Sequence, residues 1–297
     1  MSATFKYSND FPTRFITWYK FLYKLKRIRR FIRVQKSVTM FLGMQYRPST
    51  ELIEIDITYQ CNLRCLNCNR SSTQAPDSVH MPVNMIEKFV DDSLNQNKVW
   101  RRIRILGGEP TLHPKFSQII QMLLQYKKAF PDCKIEVVSN GFSKRTVRIL
   151  DELSSDITIE NSFKSSTIQP SFGPFNKAPQ DQVVNQFVNY SNGCDIMQSC
   201  GVGLTPQGYY PCAVAGGIDR VLGISNGRNE IPAENDSMED LSERLCKLCG
   251  RFEDGHYVPP KLRPKLEEAI ISPSWKHIYD SWNERKITIK NMDDPKE

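Results

Sequence analysis

The chain has 297 residues, of which 39% are hydrophobic and 25% charged, a composition typical of a folded globular protein rather than a disordered chain. It carries nine cysteines, a net charge of +7 and no run of 18 apolar residues, which argues against a transmembrane helix. Its amino-terminal residues lack the apolar core and cleavage site of a signal peptide. Because most cysteines have metal-like spacings, we expect reduced thiols and a cytoplasmic protein.

The first predicted element is a basic amphipathic helix. Residues 1–40 carry ten Lys and Arg against Asp10, a net charge of +9 that leaves the rest of the chain near −2. Apolar residues within 14–42 recur at three- and four-residue steps. Three roles are possible for this arm, residues 1–47: packing on the rest of the protein, binding an anionic partner, or binding nucleic acid. The anionic partner would be a membrane surface, a phosphorylated substrate or an acidic electron donor. No nucleic-acid motif accompanies the charges, so no nucleic-acid partner is expected.

Strands and helices alternate from residue 51 onward. This order predicts parallel strands joined by crossover helices, an α/β fold. Asn84 is expected to cap the first of these helices. The predicted strands are 51–59, 102–106, 134–138 and 156–159, and the predicted helices are 83–99, 115–130 and 144–153.

The later part of the chain is less regular. A short helix is predicted at 181–188, and residues 193–255 form a Gly- and Cys-rich segment. Within the last segment, residues 256–297, a helix over 261–285 is expected to pack on the sheet through an aromatic stripe. The residues of this stripe are Trp275, Ile278, Tyr279 and Trp282.

Three cysteines follow the first predicted strand within eight residues. Cys61, Cys65 and Cys68 have the spacing C-x3-C-x2-C on a loop. Thiolates this close do not pair comfortably as disulfides, but they can close around one soft metal centre. Three Cys ligands suit a [4Fe–4S] cluster with one open iron, whereas structural zinc takes a fourth protein ligand.

Two more motifs lie at strand ends. Gly107, Gly108 and Glu109 follow the second strand, and Ser139 and Asn140 follow the third. Together with the cysteine motif, and in this order, they resemble the radical S-adenosylmethionine (radical SAM) enzymes over residues 51–160. The resemblance implies a partial (β/α)6 TIM-type barrel at 48–192 and a SAM-binding [4Fe–4S] cluster. It also implies reductive cleavage of SAM to a 5′-deoxyadenosyl radical, with a flavodoxin- or ferredoxin-type electron donor.

The resemblance also suggests a role for each motif residue. Gly107 and Gly108 would let backbone approach the methionine of SAM, and Glu109 would hydrogen-bond its ammonium group. Ser139 and Asn140 would reach the ribose or carboxylate of SAM; ordinary tight turns are the alternative for both motifs. The family usually has an aromatic residue before the third cysteine. Asn67 stands there instead, and its amide can hydrogen-bond the adenine edge.

A second group of five cysteines lies between residues 194 and 249. Cys246 and Cys249 have a chelate spacing. The segment resembles the auxiliary-cluster extensions of some radical SAM enzymes, called SPASM (two extra clusters) and twitch (one). Five cysteines are too few for two more clusters, so the resemblance implies one [4Fe–4S] cluster, with a structural zinc knuckle as the alternative. The expected ligands are Cys194, Cys212, Cys246 and Cys249.

Cys200 is left over from this ligand set. It would be a hydrogen-atom donor to a substrate radical, a ligand in place of Cys194, or inert. The expected enzyme abstracts hydrogen from a small polar or anionic substrate, with a carbohydrate or nucleotide sugar favoured, in an epimerisation, dehydrogenation or dehydration. The alternatives are a peptide-modifying maturase and a zinc- or cluster-binding interaction protein without catalysis.

Overall fold

The computed structural model describes residues 16–162, 164, 173–256, 258, 266 and 268–293. Within these residues, no helix combines the length and apolar character needed to cross a membrane.

The centre of the molecule is a six-stranded sheet with the order β4-β3-β2-β1-β5-β6. The strands β1 to β5 run parallel, and β6 returns antiparallel to β5. This parallel-dominated sheet confirms the predicted α/β class and is consistent with a partial TIM-type fold. The strands are β1 (Leu52–Thr58), β2 (Arg102–Gly107), β3 (Lys134–Ser139), β4 (Ile157–Asn161), β5 (Val202–Thr205) and β6 (Gly208–Tyr210).

Ten α-helices lie in the described residues, and three of them are the crossovers between β1 and β4. In chain order the helices are α1 (Ile16–Arg33), α2 (Lys36–Leu42), α3 (Val83–Asn95), α4 (Phe116–Ala129), α5 (Lys144–Asp151), α6 (Ile196–Ser199), α7 (Ala213–Leu222), α8 (Glu239–Cys246), α9 (Arg251–Asp254) and α10 (Pro273–Asp293).

Three local predictions need correction. The helix α3 begins at Val83 behind Pro82, whose fixed φ suits a helix start, so Asn84 is not its cap. The predicted helix at 181–188 is instead two 3-10 turns, Pro179–Asp181 and Val183–Asn185, in a stretch with two β-branched valines. The last helix begins at Pro273, later than predicted; residues 261–265 lie outside the described residues.

The strand β1 is buried on both of its faces. Ile53, Ile55 and Ile57 are fully buried in the core on one face, as the alternation predicted. The other face carries Glu54 and Asp56, and both carboxylates are paired. Arg70 lies 3.2 Å from Glu54 and 3.1 Å from Asp56, and Arg104 donates to Glu54 at 2.7 Å. Burial raises the pKa of Asp56 to about 6 in spite of Arg70.

The Cys-rich segment contributes two strands to this same sheet. β5 pairs with β1 in parallel register, Ile53 opposite Val202 and Ile55 opposite Leu204. Gly201, with φ of +113°, makes the close approach possible, since a Cβ there would lie 2.1 Å from the Leu52 carbonyl oxygen. The proposed domain division at residue 193 stays a prediction.

The predicted basic helix is present, but its apolar face does not pack on the barrel. It is divided into α1 and α2 at Val34 and Gln35. Side chains such as Trp18 and Ile28 are more than half exposed. The reason is that the opposite, polar face of α1 is bonded to the rest of the protein. The aromatic stripe of α10 is buried, as expected: Trp275, Ile278, Tyr279 and Trp282 all lie in the core.

Candidate active site and second cysteine cluster

The three sequence motifs meet at the carboxyl ends of neighbouring strands. The cysteine loop leaves β1, Glu109 follows β2, and Asn140 follows β3. Asn140 Nδ2 donates to Asn62 Oδ1 at 2.8 Å and lies 3.9 Å from Cys61 Sγ. Asn62 was not predicted, because only the tertiary fold brings it to Asn140. Side chains about 80 residues apart in sequence therefore share one edge of the sheet, where parallel α/β folds place their ligand sites.

The cysteines of the first loop form an interacting group. Cys65 is buried, and Cys61 and Cys68 are partly buried. Burial, together with the nearby Cys68, Cys65 and Glu109, raises the pKa of the Cys61 thiol to about 12. A soft metal centre would displace these protons on binding.

Glu109 is fully buried and surrounded by neutral donors. Its carboxylate accepts from the Thr111 backbone N–H at 3.2 Å and the Thr111 hydroxyl at 2.8 Å. Ser139 Oγ donates to it at 2.9 Å and the Asn140 backbone N–H at 2.8 Å. Within the described residues no Lys or Arg pairs with it. A buried negative charge without a countercharge favours a cationic ligand.

The two glycines of this motif serve a close backbone contact. A Cβ on Gly107 would lie 2.2 Å from the Thr58 carbonyl oxygen, and one on Gly108 would lie 2.2 Å from that of Gln60. The N–H of Gly108 donates to Thr58 O at 2.7 Å, and that of Glu109 donates to Gln60 O at 2.8 Å. Glycine is thus required for the β2 end to reach the β1 end, which brings Glu109 to the cysteine loop.

Asn67 is occupied by the protein itself. Its side-chain oxygen accepts from the Ile270 N–H at 2.9 Å, and its Nδ2 donates to the Glu268 carbonyl at 3.3 Å. The residue has φ of +52°, a conformation that asparagine tolerates better than most residues. Its amide therefore ties the cysteine loop to the segment before α10. Since the amide has a second N–H and a second lone pair, the adenine contact stays a prediction.

Four of the five later cysteines come together. The thiol pKa of Cys246 is raised by burial and then by Cys194, Cys212 and Cys249, all within electrostatic reach. These four residues lie on different elements: before α6, at the start of α7, at the end of α8 and before α9. Only the tertiary fold brings Cys194 and Cys212 to the Cys246–Cys249 pair.

Arg30 lies beside this group. Its side chain is buried, and its charge is close to the thiols of Cys194 and Cys246. It donates from Nη2 to the Gly193 carbonyl at 2.6 Å and from Nε to the Phe252 carbonyl at 2.9 Å. Its third nitrogen, Nη1, is buried and finds no hydrogen-bond partner among the described residues. A buried donor beside four thiols fits an anionic cluster, which offers sulfur acceptors.

Cys200 lies apart from the four. Its charged neighbours are Glu54, Arg104, Arg102 and Arg251, and no other thiol is among them. Arg102 donates to the Cys200 carbonyl at 3.3 Å, beside the start of β2. The first cysteine loop follows the opposite end of the sheet, roughly 20 Å away over six residues of β1. Cys200 therefore stays outside the group of four thiols, and its roles as hydrogen-atom donor or as ligand in place of Cys194 remain predictions.

Within the described residues, no three His, Cys, Asp or Glu side chains converge closely enough to hold one metal ion. In a four-iron cluster each thiolate bonds a different iron atom, so the ligands need not converge on one point. The choice between an auxiliary cluster and a zinc knuckle therefore stays a prediction.

Comparison with known proteins supports the resemblance to radical SAM enzymes. Residues 55–167 match the family model of the radical SAM superfamily. The chain contains a radical SAM domain. The matched residues include the cysteine loop, Glu109 and Asn140, and the expectation of a radical SAM superfamily enzyme is confirmed at this level.

The curated relatives match about a third of the chain. GTP 3′,8-cyclase from Campylobacter jejuni (strain RM1221) is 30% identical over 101 residues, 33% of this chain and 30% of the relative. The same enzyme from Helicobacter pylori (strain J99) is 28% identical over 95 residues, 31% of this chain and 28% of the relative. The chain thus spans less than a third of the length of these relatives.

Among solved structures, BtrN in complex with AdoMet and 2-DOIA is 16% identical. The alignment covers 69% of this chain and 94% of BtrN, with a TM-score of 0.40. This TM-score is too low to support a fold assignment. The assignment of the radical SAM domain rests instead on the strand order and motifs of the chain itself.

Proposed function

We propose that the protein cleaves SAM at a [4Fe–4S] cluster bound by Cys61, Cys65 and Cys68 and abstracts hydrogen from a small polar substrate. The observation that carries the proposal is the meeting of the three motifs at one edge of the sheet. A thiol group, a buried carboxylate and an amide converge there from three strand ends.

The residues present fit both the [4Fe–4S] cluster and SAM. Three thiols are available for three irons, which leaves one iron open for SAM. The Glu109 carboxylate, held by Ser139, Thr111 and the Asn140 backbone, would accept hydrogen bonds from the ammonium group of SAM. When bound, the cluster and SAM supply the electron and the sulfonium whose cleavage gives a 5′-deoxyadenosyl radical. The buried Glu109 network holds its geometry before SAM arrives, which lowers the ordering cost of binding.

We also propose one auxiliary [4Fe–4S] cluster on Cys194, Cys212, Cys246 and Cys249. Its support is the electrostatic proximity of these four thiols and the unpartnered nitrogen of Arg30 beside them. Cys200 is outside the proposed ligand set. The electron donor is proposed to be a flavodoxin or ferredoxin in a reducing, cytoplasmic compartment.

For the substrate we retain a carbohydrate or nucleotide sugar. The printed name of GTP 3′,8-cyclase indicates a nucleotide substrate for those relatives, which fits an anionic substrate here. The shared region is only about a third of either chain, however, so the relatives do not distinguish this substrate from the peptide of a maturase. Incubation with SAM, dithionite and either nucleotide sugars or a precursor peptide encoded nearby would do so. The substrate is the one that raises 5′-deoxyadenosine formation above the uncoupled rate.

The metal assignment is tested by three alanine variants of anaerobically reconstituted protein. We expect about eight irons per chain in the native protein and about four in both Cys65→Ala and Cys249→Ala. Only Cys65→Ala should abolish binding of SAM to the cluster and its cleavage, since the other variant keeps the first cluster. The measurements are iron and sulfide content and formation of 5′-deoxyadenosine.

Cys200→Ala is the matched control, because it removes a partly buried thiol outside both proposed ligand sets. It should keep all the iron and all the SAM cleavage. Four irons and one zinc in the native protein would overturn the auxiliary cluster, and loss of iron in Cys200→Ala would overturn the ligand set.

A further inference from the structure

The helix α1 presents an apolar stripe to solvent. Its members recur at three- and four-residue steps, so they share one face of the helix. Each is between 41% and 58% exposed, and nothing in the described part of the chain covers them. They are Trp18, Phe21, Leu22, Leu25, Ile28 and Ile32.

The opposite face of α1 is bonded to the rest of the protein. Tyr23 donates to the Asp254 carboxylate, and Arg27 lies 3.5 Å from Glu253. Arg30 donates to the carbonyls of Phe252 and Gly193. Rolling the helix to bury the stripe would break these contacts and leave the buried Arg30 charge unpaired. The outward direction of the stripe is therefore built into the fold.

Two neighbouring segments extend this apolar surface. In α2, Met40 is 85% exposed and Phe41 is 87% exposed. Phe187, 72% exposed, follows the turn that carries the exposed Val183 and Val184. This turn is joined to the arm by the backbone, since Lys36 N donates to Phe187 O at 2.8 Å. Exposed apolar side chains of this number on adjoining segments are typical of an interaction site.

The charge around the surface selects the partner. Lys24, Lys26 and Arg29 lie on α1 beside or within the stripe, and all three are exposed. A second copy of the chain would bring the same positive charges together. Nucleic acid has the negative charge, but its phosphate backbone offers no apolar layer to bury the exposed Phe, Leu and Ile side chains. A surface that combines negative headgroups with an apolar layer beneath them satisfies both features.

We propose that α1, α2 and the turn at 183–187 form a docking surface for an anionic phospholipid bilayer. The apolar stripe enters the boundary between headgroups and acyl chains, and the flanking Lys and Arg contact the headgroups. The protein would thus lie on a membrane without spanning it, with the second cysteine group on the inner side of α1. The proposal is independent of the substrate.

The test is sedimentation of the full-length, cluster-loaded protein with vesicles, under anaerobic conditions. We expect binding to vesicles of phosphatidylglycerol and phosphatidylcholine, weaker binding at high salt and little binding to phosphatidylcholine alone. The protein has four tryptophans, and Trp18 is exposed while Trp100, Trp275 and Trp282 are buried. Anionic vesicles should therefore shift the emission of Trp18 to the blue, and brominated lipids should quench it.

Phe21→Glu and Leu25→Glu remove apolar contacts from the stripe. Each should lower the partition coefficient at least about tenfold, because each removes the transfer free energy of one large apolar side chain. The control is Ile287→Glu on α10, which places the same charge at a side chain that is 60% exposed but outside the surface. It should bind vesicles as the native protein does, and all three variants should keep their iron.

Three results would overturn the proposal. These are absence of sedimentation with anionic vesicles, equal binding to neutral and anionic vesicles, and Phe21-dependent dimers in light scattering without vesicle binding. The last result would identify the stripe as a contact between copies of the chain.

Discussion

At the scale of single residues, the decisive contacts join parts of the chain that are far apart in sequence. Glu109 gains its donors from Ser139 and Asn140, about 30 positions away. Arg30 reaches the carbonyls of Gly193 and Phe252 from the amino-terminal helix. The motif residues Glu109, Ser139 and Asn140 were visible in the sequence. Arg30 was one of ten basic residues in residues 1–40, and only its burial distinguishes it from the others.

Arg30 leads to a prediction on the proposed auxiliary cluster. A positive charge and a hydrogen-bond donor beside an iron–sulfur cluster stabilise its reduced, more negative state. Arg30→Leu should therefore lower the reduction potential of that cluster, and Arg30→Lys should restore part of the difference. The measurement is a redox titration followed by electron paramagnetic resonance.

The control for this prediction is Arg29→Leu, which removes the neighbouring charge from an exposed position of the same helix. It should leave the potential unchanged. An unaltered potential in Arg30→Leu, with full iron content, would contradict the proposed role.

At the scale of elements, the informative pairing is that of β5 with β1. The prediction of parallel strands covered the first four, because their hydrophobic alternation is regular. β5 has four residues and β6 three, too short for a periodic signal. Their position depends on Gly201, whose backbone lies against Leu52 and Ile53.

Gly201→Ala should destabilise this pairing. A Cβ would meet backbone atoms of Leu52 and Ile53 at 2.1–2.8 Å, and backbone cannot move aside as a side chain can. At φ of +113° the alanine is also strained, so we expect a loss of about 2 kcal/mol or more in the free energy of unfolding. Urea denaturation followed by circular dichroism measures it.

Gly43→Ala provides the matched comparison. It has φ of +73°, but a Cβ there would meet nothing within 4 Å. Its ψ of −179° lies in a region that is essentially restricted to glycine, so the substitution should cost the backbone strain alone, about 1–3 kcal/mol. The loss should be smaller than in Gly201→Ala, where the clash with β1 is added. Equal losses for the two variants would show that the contact with β1 does not matter.

At the scale of the whole molecule, the Cys-rich segment and the radical SAM domain share one hydrophobic core. Val202 and Leu204 of β5 and Val214 and Ile218 of α7 belong to the same buried cluster as Ile53 of β1. The segment also covers the edge of β1 that would otherwise expose unpaired backbone groups. Although the cysteine pattern suggested a separable extension, these contacts bind it to the sheet.

A chain that ends at residue 193 should therefore fail to fold. It would lose the β5 partner of β1 and the core residues of α7, α8 and α10, and we expect an insoluble or largely unstructured product. Co-expression of residues 194–297 as a separate chain should restore soluble protein if the missing pairing is the cause. A soluble truncated chain that binds iron and cleaves SAM would contradict this expectation.

The sequence by itself determined the class of the fold and predicted the residues of the first site. The reason is local: cysteine spacing, strand alternation and the motifs at strand ends are properties of short segments, each readable within about ten residues. It also predicted a basic amphipathic helix, because a 3.6-residue period needs no tertiary information.

The tertiary structure decided how distant segments meet. It placed four of the later thiols together and Cys200 apart, with Arg30 among the four. It engaged Asn67 with the segment before α10, and it turned the polar face of α1 inward. These outcomes depend on free energies of burial and pairing between distant segments. In α1, the free energy gained by pairing the buried charge of Arg30 outweighs the preference of the apolar face to pack inside.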